Sequence, residues 1–211
     1  MRRLFICLAA LGMLSGCAGQ SVWATDEAVK AAAVHTGNPP SVTLLTVIGT
    51  TTGGGGHSAL MIDGSQRVIF DPAGTWYHPT VPERNDVDYG ITDQMYKFYM
   101  DYHARETWFV REQTLRVSPE TAEALLARVQ SNGAVAKMMC ANQTAAVLRS
   151  VPGFESMPAT FSPIKLSKAF GQLPGVVTKD HYDNDPDDNS GVLMIQAEKA
   201  NYGTVIGKVT N

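Results

Sequence analysis

The stretch from Val42 to Asp71 limits the possible folds more than any other part of the chain. Val42-Thr43-Leu44-Leu45-Thr46-Val47-Ile48 is an apolar, β-branched run without a helical period, which suits a buried strand. Gly49 to Gly56 then forms a loop ending in four consecutive glycines. His57-Ser58-Ala59-Leu60-Met61-Ile62 reads as a second strand. Asp63-Gly64-Ser65 supplies turn chemistry, and Arg67-Val68-Ile69-Phe70-Asp71 returns as the other arm of a hairpin, ended by Pro72 and Gly74. An antiparallel sheet is therefore the expected centre of the fold.

The remaining pattern adds helices without a βαβ rhythm. Residues 72–91 are polar and turn-rich. Met95, Phe98, Tyr99 and Tyr102 recur at spacings of three and four, which predicts a helix over Thr92–Tyr102. Thr107–Val117 alternates as a strand. Ser118-Pro119-Glu120 places an N-cap before proline at the first helical position, starting a helix that stops at Asn132-Gly133. Further helices are expected over Met139–Arg149 and from Ser162-Pro163 to Phe170. The tail reads as an acidic loop, Asp183–Gly191, and two strands, Val192–Ala197 and Thr204–Val209. The fold class this predicts is α+β, with a small, mainly antiparallel sheet packed against helices.

The N-terminal residues constrain location. Met1-Arg2-Arg3, an apolar run from Leu4 to Leu14, and small residues after it describe an export signal. The run is shorter than the roughly 20 residues needed to span a bilayer. Leu14-Ser15-Gly16-Cys17 resembles the lipobox of bacterial lipoproteins. That resemblance implies cleavage after residue 16, lipid on Cys17 and attachment to a membrane outside the cytoplasm. Ala18 stands where the inner-membrane retention signal has Asp, which points to the outer membrane, facing the periplasm. The expected division is a signal over 1–16, a lipidated tether over 17–40 that ends in Gly37-Asn38-Pro39-Pro40 and includes a short helix over Asp26–Ala33, and one domain over 41–211.

Without Arg2 and Arg3, 15 of the 17 basic residues face 20 acidic ones, a charge of −5. No basic patch stands out, so nucleic acid is not an expected partner. Of three cysteines, Cys7 belongs to the signal and Cys17 to the anchor, leaving Cys140 as a lone thiol in an oxidising compartment. Such a thiol needs burial or a use.

Three residues suggest a use. His57 opens a strand after the glycine tract, Asp71 ends the paired strand, and Cys140 lies near a helix start in Met138-Met139-Cys140-Ala141-Asn142. A helix N-terminus and an imidazolium both stabilise a thiolate, lowering the thiol pKa from about 8.5. The imidazole can then protonate a leaving group, and a third polar residue orients it. A short turn at Asp63–Ser65 places Asp71 close to opposite His57, within carboxylate reach.

Gly56-His57-Ser58-Ala59-Leu60-Met61-Ile62-Asp63-Gly64, followed by Val68-Ile69-Phe70-Asp71-Pro72, resembles the histidine hairpin of NlpC-type papain-like cysteine peptidases. Histidine precedes cysteine here, which is similar to the circularly permuted branch that includes lecithin:retinol acyltransferases and some bacterial lipoproteins. The resemblance covers Val42 to Arg149 and implies a permuted papain-like fold. It implies Cys140 as nucleophile, His57 as base, Asp71 as orienter, and a peptide amide, such as cell-wall peptide, or a lipid acyl ester as substrate. Ala141-Asn142 replace the family's small residue and glycine after the nucleophile, and Asp71 stands where histidine, asparagine or glutamine is common.

Other groups rank behind these. Gly56 could let substrate backbone approach His57, and Trp76 and His78 could line a substrate cleft. His181, in Lys179-Asp180-His181-Tyr182-Asp183, reads as a polar loop and ranks second as base. His35 in the tether and His103 at a helix end read as surface residues. The glycine tract lacks the Gly-Lys-Ser/Thr ending of a phosphate loop. The acidic loop fails the calcium-loop pattern, because Asp188 takes the glycine position and no Glu closes it. No histidine or cysteine pair has zinc-ligand spacing, so no metal and no cofactor are expected. Two functions follow: an anchored cysteine hydrolase, or a non-enzymatic envelope lipoprotein that uses the same fold as a binding or scaffold module.

Overall fold

The structure is a computed structural model and describes residues 19, 21–194, 196 and 198. The expected export signal, Cys17 and the strand expected over Thr204–Val209 lie outside the described residues. The fold is α+β, built on one seven-stranded antiparallel sheet.

The strands are β1 (Ser41–Gly49), β2 (Gly55–Asp63), β3 (Arg67–Phe70), β4 (Glu83–Arg84), β5 (Val87–Tyr89), β6 (Trp108–Arg116) and β7 (Val177–His181), in spatial order β4-β5-β3-β2-β1-β6-β7. The helices are α1 (Asp26–Ala32), α2 (Asp93–His103), α3 (Pro119–Gln130), α4 (Cys140–Arg149) and α5 (Pro163–Phe170).

β1 reads as a continuous apolar run because both faces of the sheet are covered. Val42 and Leu44, with Leu60, Ile62, Val68 and Phe70, join Leu125, Leu148 and Phe170 from α3, α4 and α5 in one core. Leu45 and Val47, with Ala59, Met61 and Ile69, join Met95, Tyr99 and Tyr102 of α2 in a second. Each fully buried aliphatic side chain in these layers contributes about 1.5–3 kcal/mol. Side-chain caps fix four helix starts: Thr25 accepts from Ala28 N–H, Thr92 from Met95 N–H, Ser118 from Thr121 N–H, and Ser162 from Lys165 N–H. Met139, at the cap of α4, supplies no side-chain hydrogen bond, so the first N–H groups of that helix are left without a capping side chain.

Four expectations need correction. Residues 72–91 are turn-rich, yet they also contribute β4 and β5, which extend the sheet beyond β3. Residues 177–181 form an edge strand on β6; its polar sequence is that of an exposed edge. Residues 190–194, 196 and 198 are helical where a strand over Val192–Ala197 was expected. The segment expected to be a tether is docked on the domain where it is described. Ala24 N–H donates to the Glu83 carbonyl, Arg84 pairs with Asp26, and Arg67 N–H donates to the Val34 carbonyl. α1 matches the expected short helix.

Candidate functional site

The site forms where the sheet is incomplete. β3 pairs with β2 only over Leu60–Asp63, so Gly55–Ala59 have no strand neighbour on that side. α4 packs against β2 there, with Thr144 Oγ1 donating to the Ser58 carbonyl at 3.5 Å. This brings the start of α4 and the start of β2 together. Met138, two residues before Cys140, takes φ 67°, a left-handed turn that swings the chain into the helix.

Cys140 is buried, at 8% exposure, and its thiol lies beside the His57 imidazole and the Ser58 and Ala141 N–H groups. His57 Nε2 donates to Asp71 Oδ1 at 2.5 Å, which leaves Nδ1 as the nitrogen available to the thiol. Asp71 is 4% exposed and held from three sides. Tyr99 donates its hydroxyl to Oδ1 at 2.8 Å, Asp71 N–H donates to the Asp86 carbonyl, and Gly74 N–H donates to the Asp71 carbonyl. Gly74 leaves the carboxylate its space: a Cβ there would stand 1.8 Å from Asp71 Oδ2.

These contacts set the charges. Burial works against a charge on His57, but the Asp71 carboxylate outweighs it, with Cys140 adding to the effect, and the imidazole pKa rises to about 10. Burial likewise works against ionised Asp71, and the His57 cation reverses this and holds the carboxyl below its usual value. Burial pushes the Cys140 thiol up, but the hydrogen bond and charge of His57, with the Ser58 and Ala141 N–H groups, bring it below the ordinary thiol value. The arrangement favours a thiolate–imidazolium pair backed by a carboxylate.

His103 is a neighbour the sequence did not reveal. Read as a surface residue at a helix end, it is half-buried, with its ring nearly parallel to that of His57 at a centroid distance of 5.7 Å and an interplanar angle of 6°. Its Nδ1 donates to the Tyr99 carbonyl at 2.8 Å. Burial, reinforced by the His57 cation and opposed by Asp71, pulls its pKa down to about 4, so it stays neutral. Tyr99 and His103 are four apart on α2, a spacing that puts both on one helix face; nothing in the spacing says which strand that face meets.

A cavity of about 310 Å³ opens beside the two histidines, lined also by Gly56, Tyr102, Arg105, Trp108 and Asp187. Gly56 reaches it as expected, though its missing side chain first makes room for Trp108, whose ring would lie 2.8 Å from a Cβ at that position. Trp76 and His78 do not line it. Trp76 is buried edge-on against Tyr99. His78 is buried on the ring of Phe98, with Nδ1 bonded to Thr80 and Nε2 to the Gln196 carbonyl. His181 sits on the edge strand β7, paired to Glu112 at 2.5 Å, with its imidazole committed there. His35 is exposed and bonded to the Ser65 carbonyl.

Folding also gathers possible metal ligands that sequence spacing did not suggest. Among the described residues, one ligand atom each from His57, Asp71 and His103 lie within 4.8 Å of one another, as do those of Asp101, Asp183 and Asp185. No described helix is long and apolar enough to cross a membrane. The chain matches no family model, no curated protein and no solved structure.

Proposed function

We propose that this protein belongs to the class of thiol hydrolases, with Cys140 as nucleophile, His57 as acid and base, and Asp71 as the group that orients and charges the imidazole. More particularly, it is a lipid-anchored hydrolase of the bacterial cell envelope that cleaves a peptide amide or an acyl ester. The observation that supports this reading is the position of His57, between the Asp71 carboxylate and the Cys140 thiol, beside a cavity. A binding module built on the same fold would have no need of that contact.

The chemistry follows from the charges. The Cys140 thiolate attacks the substrate carbonyl carbon, forming a C–S bond. The Cys140 N–H, free of a capping side chain at the start of α4, faces the developing oxyanion. His57 gives its proton to the departing amine or alcohol as the tetrahedral adduct collapses to a thioester. A water molecule, deprotonated by His57, then attacks the thioester; the acid leaves and Cys140 regains its thiolate beside a protonated imidazole.

The histidine-first order, with the nucleophile on a helix start packed against an antiparallel sheet, supports a permuted papain-like relationship. The lipobox-like Leu14-Ser15-Gly16-Cys17 supports anchoring through Cys17, and Ala18 supports the outer membrane. Ser21, where the docked segment is described, lies four positions after Cys17; fully extended, those four steps reach roughly 14 Å. The domain is therefore held close to the bilayer, which suits a substrate in the wall or in the membrane itself.

The test is thiol labelling by iodoacetamide near neutral pH, with Cys140→Ser as the control. Labelling of folded wild type faster than free cysteine, and absent from Cys140→Ser, is the expected result. A thiol that reacts only after unfolding would overturn the reading.

A further inference from the structure

We propose that His57, Asp71 and His103 form a binding site for a divalent transition cation of the zinc type, and that occupation of this site switches off His57 as a base. The donors come from three elements: the start of β2, the residue after β3, and the end of α2. Two imidazoles and a carboxylate are a donor set that suits zinc.

The hydrogen bonds already select the right tautomer. A carbonyl oxygen only accepts, so His103 Nδ1 must carry the proton it gives to Tyr99, and the neutral ring keeps its lone pair on Nε2. A metal-bound histidine commonly has this outer-shell arrangement, its second nitrogen donating to a backbone carbonyl. Tyr99 serves twice, because its hydroxyl also bonds Asp71 Oδ1 at 2.8 Å. The three ligand atoms lie within 4.8 Å of one another, and a tetrahedral ion holding them at about 2.0–2.1 Å brings them to roughly 3.3 Å. The neighbouring cavity of about 310 Å³, lined by both histidines, admits water as a fourth ligand. Arg105 lines the same cavity, but Asp185 at 3.4 Å and Asp101 at 3.8 Å offset its charge.

Binding replaces one proton. The ion takes the position of the proton that His57 Nε2 shares with Asp71, and that proton passes to solvent. His57 then holds the metal on Nε2 and a proton on Nδ1, with no lone pair left to deprotonate water. An acyl group on Cys140 could not be released. The effect on turnover rests on the hydrolase reading; the binding does not.

The experiment is equilibrium dialysis of the full chain, in detergent, against Zn²⁺ alone, with thermal unfolding followed in parallel. Wild type and Cys140→Ser should each bind one Zn²⁺ and rise in melting temperature. His103→Phe, which keeps a stacking ring, should bind about tenfold more weakly or worse, and so should His103→Gln. The proposal is overturned if wild type binds no Zn²⁺, if both His103 variants bind as wild type does, or if Cys140→Ser loses the ion. Thiol labelling in chelator reads the hydrolase proposal separately, so either idea can fail while the other stands.

Discussion

His57 and Asp71 meet on the diagonal of their hairpin. Leu60 pairs with Phe70, so Ala59 stands level with Asp71 and His57 lies one pleat further along the same face. The imidazole leans back along the strand to reach the carboxylate at 2.5 Å. A diagonal pair spans roughly 7–8 Å between backbones, a distance these two side chains bridge together. The side of the ring away from Asp71 is thereby left to Cys140.

This relationship predicts what Asp71→Asn does. In wild type the lowered thiol and the imidazole, raised to about 10, leave a window in which Cys140 is thiolate and His57 is cationic. Labelling in chelator should therefore be level across neutral pH and change only near its alkaline end. Without the carboxylate the imidazole pKa falls and the thiolate loses its partner. The labelling rate of Asp71→Asn at pH 7 should drop by about tenfold or more, and its rise should move toward the ordinary thiol value. An unchanged profile would show that Asp71 does not hold the pair.

Gly74→Ala tests the same carboxylate by space alone. The new Cβ would occupy the position of Asp71 Oδ2, and the short aspartate side chain cannot move aside and still reach His57. The variant should fold, lose roughly 1–3 kcal/mol in denaturant titration, and label at the rate of Asp71→Asn.

Asp88 lies beneath the site and is buried at 4% exposure. Burial first, then Asp71, Glu83 and Asp86, drive its pKa well above the ordinary value, and burial takes Asp86 to about 6. The folded state thus holds these protons more tightly than the unfolded chain. Their stabilising contribution is complete below about pH 3.8 and is lost as pH rises through the raised values. Stability should fall as pH rises through 6, and Asp88→Asn should flatten that fall and unfold at higher temperature than wild type at pH 8. Equal melting curves at pH 8 would contradict this.

The core makes a simpler prediction. Leu44 is fully buried on the face of the sheet that packs against α3, α4 and α5. Leu44→Ala should cost about 2–5 kcal/mol in chemical denaturation, because a central strand cannot collapse onto the void.

Much of the architecture was legible because its causes are local. A β-branched run without helical period marked β1, the Asp63–Ser65 turn marked the β2–β3 hairpin, and Ser-Pro pairs marked the starts of α3 and α5. The pairing of a strand-opening histidine with Asp71 was legible too, apart from its register. β4, β5 and β7 were not, since short or polar strands at the sheet's margins are made by their neighbours rather than by their own sequences. Trp76 and His78 read as cleft residues because exposure cannot be judged from residue type, and both are buried in the α2 layer.

The chain by itself determined the elements and the candidate chemistry: an apolar hairpin, a cysteine at a helix start, and a histidine after glycines. These depend on period, turn residues and caps, which act within a few residues. Only the tertiary structure decided that β3 stops short, that α4 enters beside β2, and that α2 lays Tyr99 and His103 against Asp71. Those meetings join residues up to 83 positions apart, from His57 to Cys140, and they are set by how two faces of one sheet are covered, a property of the packed whole.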